Sequence, residues 1–192
     1  MPGDPSTLTA FDTDDHGAAI FWLYGRSGAG KTTLATRLET SLRRRRLACF
    51  LLDGDQLRHG LCSDLGFDDA ARDENHRRAA EMARLIAARG IIVIAATMAP
   101  RNSQREIITG VLRDHLRWVY VDATLSTCAR RDPKGLYARA AAGKISSLKE
   151  YPFDPPRSNE VDLHLDTETD TPDDCHQRLL NYALAELASP TI

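Results

Sequence analysis

Four cysteines are scattered through this sequence, and none is placed for chemistry. Cys49, Cys62, Cys128 and Cys175 form no C-x-x-C pair and do not cluster with histidine at zinc spacing, so neither a thiol redox motif nor a zinc site is expected. Buried thiols in a reducing compartment fit the pattern. Strong charge is also missing. Twenty-five basic against 27 acidic side chains leave a formal charge of −2, which argues against a general nucleic-acid binder. A local cationic pocket for a small polyanion remains compatible with it. No basic, apolar signal segment opens the sequence, no apolar run approaches membrane-spanning length, and no internal repeat occurs. The expectation is a soluble, cytoplasmic protein with no membrane partner.

What is present suits one globular α/β domain: 192 residues, 42% apolar and 27% charged. Residues 1–17 are rich in Pro, Gly, Ser, Thr and Asp and read as a mobile leader. From Ala18 onward, short apolar runs alternate with helical periodicity. Strands are expected at Ala18 to Tyr24, Leu47 to Leu52, Ile91 to Ala96, Trp118 to Asp122 and Val161 to Leu165. Helices are expected at Thr32 to Arg46, Glu74 to Arg89, Arg105 to His115, Leu125 to Arg131 and Pro172 to Leu187. In the second of these, Ala80, Ala83, Leu85, Ile86 and Ala87 make the apolar side. This alternation implies a three-layer α/β fold, a parallel sheet with helices on both faces, and the Gly-rich segment Gly25 to Thr32 between the first strand and the first helix makes it of the P-loop NTPase type. Residues 18–192 then form one domain. Asp132 to Arg157, irregular and weakly periodic, is the candidate lid. The basic run Arg43 to Arg46 reads as a solvated helix end, where cations complement the dipole.

Gly25-Arg26-Ser27-Gly28-Ala29-Gly30-Lys31-Thr32 fits G-x-x-x-x-G-K-[ST], between an apolar strand and a helix. Glycines let the backbone curl until successive N–H groups converge on phosphate oxygens, and the helix N-terminus adds its positive dipole end. Gly28, Ala29, Gly30, Lys31, Thr32 and Thr33 are therefore the candidate ATP-binding residues. Lys31 would reach the β/γ-phosphates and Thr32 would ligate Mg²⁺. Asp53-Gly54-Asp55 follows the second strand directly. Ligands in open parallel sheets bind beyond the strands' carboxyl ends, so Asp53 and Asp55 are placed near the phosphate loop. One would orient Mg²⁺ and one would accept the proton of an acceptor hydroxyl; Lys31, Asp53 and Asp55 are the candidate catalytic groups, and Thr32 and Asp53 the candidate metal ligands.

Further runs carry a resemblance: Leu52 to Leu61, Asp64-Leu65-Gly66-Phe67, Arg72-Asp73-Glu74-Asn75-His76-Arg77-Arg78 and Arg131-Asp132-Pro133-Lys134-Gly135-Leu136-Tyr137. With Gly25 to Thr33, in this order and spacing, the chain resembles the adenylyl-sulfate kinases from its first strand to its last helix. That family makes 3′-phosphoadenylyl sulfate from adenylyl sulfate and ATP. The resemblance implies acceptor-binding roles for Asp55, Arg58, Phe67, Arg72, Asn75, Met98, Ala99, Lys134 and Leu148. Arg58, Arg72 and Lys134 would neutralise the phosphosulfate, Phe67 would stack on the acceptor adenine, and Arg131 would lie beside the donor base. ATP and Mg²⁺ are the implied cofactors, adenylyl sulfate or a similar small molecule the partner, and a homodimer the candidate assembly. The alternative activity is that of a related P-loop kinase acting on another small nucleotide or anionic alcohol.

The sequence departs from the family's pattern at several places. Gln56 stands where Asn is usual, and Arg26 where Leu is common. Met98-Ala99-Pro100 replaces Ile-Ser-Pro, so a phosphoserine intermediate is excluded at that position. Leu148-Lys149-Glu150-Tyr151-Pro152 replaces Phe-Thr-Gly-Ile-Asp. Leu148 keeps apolar area but gives up the second aromatic face over the acceptor base, unless Tyr151 or Phe153 supplies it.

Overall fold

The computed structural model describes residues 18–143, 152–157 and 159–188. Its centre is β1 (Ile20–Tyr24), Ile-Phe-Trp-Leu-Tyr, buried at every position. A continuous apolar run of this kind belongs in a parallel strand covered on both sides. Four more strands join it: β2 (Cys49–Asp53), β3 (Ile92–Thr97), β4 (Leu116–Asp122) and β5 (Leu163–Asp166). They lie in the order β2-β3-β1-β4-β5, all parallel.

Side-chain alternation along β1 divides the core. Phe21 and Leu23 face a layer that includes α1 (Lys31–Arg44) and α7 (Pro172–Ala188). Ile20, Trp22 and Tyr24 face α3 (Asp69–Ala87) and α4 (Asn102–Leu112). Trp22 also donates its Nε1–H to Thr97 Oγ1 at 2.9 Å, which satisfies the one polar atom of a wholly buried ring. The expected parallel sheet with helices on both faces is thus present.

Several boundaries differ from the sequence reading. The first helix ends at Arg44, because Arg46 turns to φ +61°; Arg43 to Arg46 are solvent-facing, as expected. α2 (Gly54–His59) and α6 (Leu136–Ala141) are six-residue helices too short to show a period. α5 (Leu125–Arg131) is where it was expected. α3 starts at Asp69, five residues before Glu74, because Asp68 caps it by accepting from Ala71 N at 2.9 Å. Its buried face is Asn75, His76, Ala79, Ala80, Ala83 and Ala87, while Leu85 points outward at 60% exposure.

β1 sits between β3 and β4, so the chain leaves it toward β2 on one side and reaches β4 on the other. The crevice beyond the strands' carboxyl ends opens at that reversal, and the loops after β1, β2, β3 and β5 converge there.

Candidate active site

The loop after β1 is held open from outside. Gly25 (φ +150°) lies so close to β4 that a Cβ would stand 2.2 Å from Val121 O. At Gly28 (φ +82°) a Cβ would come 2.9 Å from Cys128 O, so both positions demand glycine. The loop's carbonyls are taken by neighbours. Tyr137 Oη donates to Ser27 O at 2.9 Å, and Thr167 Oγ1 lies 2.8 Å from Ala29 O. Arg131 grips Thr167 through the hydroxyl at 3.0 Å and the carbonyl at 2.6 Å. Gly30 caps α1, and Lys31 opens it.

Lys31 Nζ folds back to donate to Arg26 O at 2.7 Å. Withdrawal of the ammonium from water, reinforced by the charge of Lys134, pulls its pKa down to about 8. Thr32 Oγ1 donates to Asp53 Oδ2 at 2.9 Å. The other oxygen of Asp53 caps α2, accepting from Asp55 N at 2.9 Å and Gln56 N at 3.4 Å. A nearly buried carboxylate and a hydroxyl are therefore fixed side by side at the foot of the phosphate loop. Two hard oxygen donors of this kind fit Mg²⁺, which keeps most of its shell for water and substrate phosphates. Asp55, one residue into α2, is more exposed and forms an ion pair with Lys134.

The wall to which the resemblance assigns the acceptor is built differently. Phe67 projects with 63% exposure. The Arg58 guanidinium lies 4.6 Å from its ring centroid and that of Arg72 5.7 Å. Arg58 also donates to Gly66 O at 2.8 Å, and Arg72 Nε to Phe67 O at 2.7 Å. Asn75 is 4% exposed, and its buried Oδ1 has no partner among the described residues. Next to it, His76 Nδ1 bonds Arg72 O at 2.8 Å. Burial pulls the His76 pKa down to about 4, and the charges of Arg58 and Arg72 act in the same direction.

The polar, charged and aromatic side chains just described, Tyr137 excepted, line one cleft of about 1450 Å³. Every candidate catalytic, metal-binding, ATP-binding or acceptor-binding residue named from the sequence is on its wall except two. Ala99 is completely buried, packed into the apolar layer under α3 and α4 with φ +37°, and only its neighbours Met98 and Pro100 reach the cleft. Leu148 lies outside the described residues. The sequence reading missed His76, Tyr137 and Thr167. Thr167 follows β5 directly, and its place beyond a strand's carboxyl end was the available signal.

Both ends of the candidate lid are pinned. At one, Asp132 accepts from Tyr137 N at 3.1 Å and Ala138 N at 2.9 Å. At the other, Asp154 bonds Pro100 O and Asn102 N at 2.8 and 2.9 Å. Arg26 extends from the phosphate loop over the Phe153 ring, 4.8 Å from its centroid, which gives that unusual side chain a place.

Comparison with known proteins agrees with this geometry. The adenylylsulphate kinase family model matches residues 17–164. The adenylyl-sulfate kinase of Aeromonas salmonicida is 46% identical over 147 residues, covering 75% of each chain. That of Pseudomonas aeruginosa is 44% identical over 174 residues, covering 85% of this chain and 84% of its own. The APS kinase CysC of Mycobacterium tuberculosis, solved in complex with AMPPNP and APS, superposes with a TM-score of 0.80 at 35% identity, over 86% of this chain and 97% of that one. A phosphate loop after β1, an acidic turn after β2, a cationic and aromatic wall on α2 and α3, and these matches lead to one assignment: the chain belongs to the adenylylsulphate kinase family.

Proposed function

We propose that this chain transfers the γ-phosphate of ATP to the 3′-hydroxyl of adenylyl sulfate, giving 3′-phosphoadenylyl sulfate and ADP. The observation that carries the reading is a single cleft that joins a formed phosphate loop to a wall bearing Arg58, Arg72 and Lys134 around an exposed Phe67. Two guanidinium groups and an ammonium match the two negative charges of a phosphosulfate, and Phe67 offers a ring to its base. The loop Gly28 to Thr33 takes the polyphosphate, Lys31 its β/γ oxygens, and Arg131 lies by the donor base.

Thr32 and Asp53 would hold Mg²⁺, which supplies charge neutralisation at the β- and γ-phosphates. In the transfer, the bond from the γ-phosphorus to its β-bridging oxygen breaks as one to the acceptor's 3′-oxygen forms. Asp55 receives the hydroxyl proton. It is better suited than Asp53, one of whose oxygens caps α2 while the other faces Thr32, where Mg²⁺ would be held. Lys134 is paired with Asp55. Engagement of Lys134 by the phosphosulfate would leave that carboxylate free to act as base. Residues 132–157 are proposed as the lid of a single domain, closing to keep water from the γ-phosphate.

The proposed location is the cytoplasm: all four cysteines are buried free thiols, and no described helix is long and apolar enough to cross a membrane. The proposed assembly is a homodimer, for which exposed Phe50 and Leu85 offer apolar surface to cover; light scattering checks it. A relative from Thiobacillus denitrificans is hexameric. ADP release measured with adenylyl sulfate, with AMP and with no acceptor tests the activity. Release with adenylyl sulfate no faster than with water alone would overturn it.

A further inference from the structure

His76 is a buried polar side chain on the cleft wall to which the mechanism above gives no task. His76 lies one helical turn beyond Arg72 on α3 and adjoins Asn75, so the three share the face turned to the acceptor side. It is 6% exposed. Its Nδ1 faces the Arg72 carbonyl at 2.8 Å, and a carbonyl only accepts, so Nδ1 carries the proton. The nearest charges are Arg58, Arg72 and Asp73. A second proton beside two guanidinium groups in a desolvated wall is disfavoured, and the neutral ring presents Nε2 as a lone pair. No described residue bonds that nitrogen, and the residue borders the cleft.

A lone pair repels the oxygens of a phosphosulfate, so His76 is not a further anion contact alongside Arg58 and Arg72. It needs a neutral N–H or O–H. Resting on the adenylyl sulfate reading, we propose that His76 Nε2 accepts a hydrogen bond from the nucleoside part of the acceptor and so helps to select it. Two donors of that nucleoside qualify once the 3′-hydroxyl is committed to transfer: the 6-amino group of the base and the ribose 2′-hydroxyl. The rule is one of exclusion as much as attraction. An acceptor that turns a carbonyl toward Nε2 sets two lone pairs against each other, and one that lacks the group covers the nitrogen and leaves it unpaired.

Calorimetric binding to the ADP-loaded protein is the readout, so turnover of adenylyl sulfate tests the proposed function separately. The titrants are adenylyl sulfate, its 6-keto counterpart and its 2′-deoxy counterpart. Wild type should bind one of the two altered compounds about tenfold more weakly than adenylyl sulfate, the scale of one hydrogen bond. His76→Leu should weaken adenylyl sulfate by the same factor and abolish that preference, with ADP affinity and melting temperature retained. His76→Gln, which keeps an acceptor atom at the tip of the side chain, should restore much of both. A wild type that treats all three titrants alike overturns the proposal, even if the leucine variant fails to fold. So does a His76→Leu loss that is equal across the three.

Discussion

The two halves of the cleft are finished to different degrees. On the donor side, Tyr137, Thr167 and Arg131 fasten the phosphate loop, and the Thr32–Asp53 pair sits at its foot. On the acceptor side, Phe67 stands exposed with guanidinium groups against it, Asn75 Oδ1 has no partner among the described residues, and Lys134 is spent on Asp55. The cations there are paired with local groups that an incoming phosphosulfate can replace. A preorganised donor site costs little reorganisation when the nucleotide arrives. The acceptor site is completed by its ligand, which places selectivity there.

Substitutions on the two sides should therefore move different constants. The largest effect is expected from Lys31→Ala, which should cut kcat by about 100-fold or more with the melting temperature retained, because electrostatic stabilisation dominates phosphoryl transfer. Near-normal turnover in the purified variant would remove Lys31 from the mechanism. The family resemblance places residue 148 over the acceptor base, so Leu148→Phe should lower the KM for adenylyl sulfate about two- to twelvefold, the value of an aromatic pair at roughly 0.5–1.5 kcal/mol. Steady-state kinetics should find the KM for ATP unchanged.

Tyr137→Phe removes one hydrogen bond from the loop, worth about 1 kcal/mol, and should raise the KM for ATP about fivefold while sparing that for adenylyl sulfate. An equal rise in both would erase the distinction between the halves. The smallest signal is a proton. Lys31 in the ligand-free chain has a pKa near 8, below its ordinary 10.5, and bound polyphosphate favours the charged form. Above pH 8 the free protein holds a neutral Lys31, so ATP binding should take up a fraction of a proton and weaken as pH rises. Below about pH 7 the group is already charged and no uptake is expected from it. Calorimetry in buffers of different ionisation enthalpy reads this directly, and Lys31→Ala should abolish it.

The donor side was legible in the sequence because its chemistry is local. Gly25 to Thr32 is contiguous, and a strand before it with a helix after it fixes the geometry. The sheet was legible for a similar reason, since β1 and β3 are uninterrupted apolar runs. The acceptor side is assembled from α2, α3 and the segment after α5, and only the family resemblance joined those residues. Ala99 shows the limit of that guide: a place in a shared motif did not put the side chain on the wall, because its backbone turns to φ +37° and buries the methyl group. α2 and α6 were missed because two turns carry no period, and α3 began early because a single capping aspartate outweighed the polar composition of its first turn. His76 went unnoticed because a histidine in a charged stretch gives no sign of which nitrogen is occupied.

Lys134 and Tyr137 are three residues apart, and they touch opposite partners: one holds Asp55, the other Ser27 O. Three residues of chain span at most about 10 Å. A tether that short has little slack, so Lys134 cannot travel far while Tyr137 stays fastened to the loop. The stretch is a mechanical link between the two halves of the cleft: a pull that draws Lys134 from Asp55 is felt at the residue that fastens the phosphate loop.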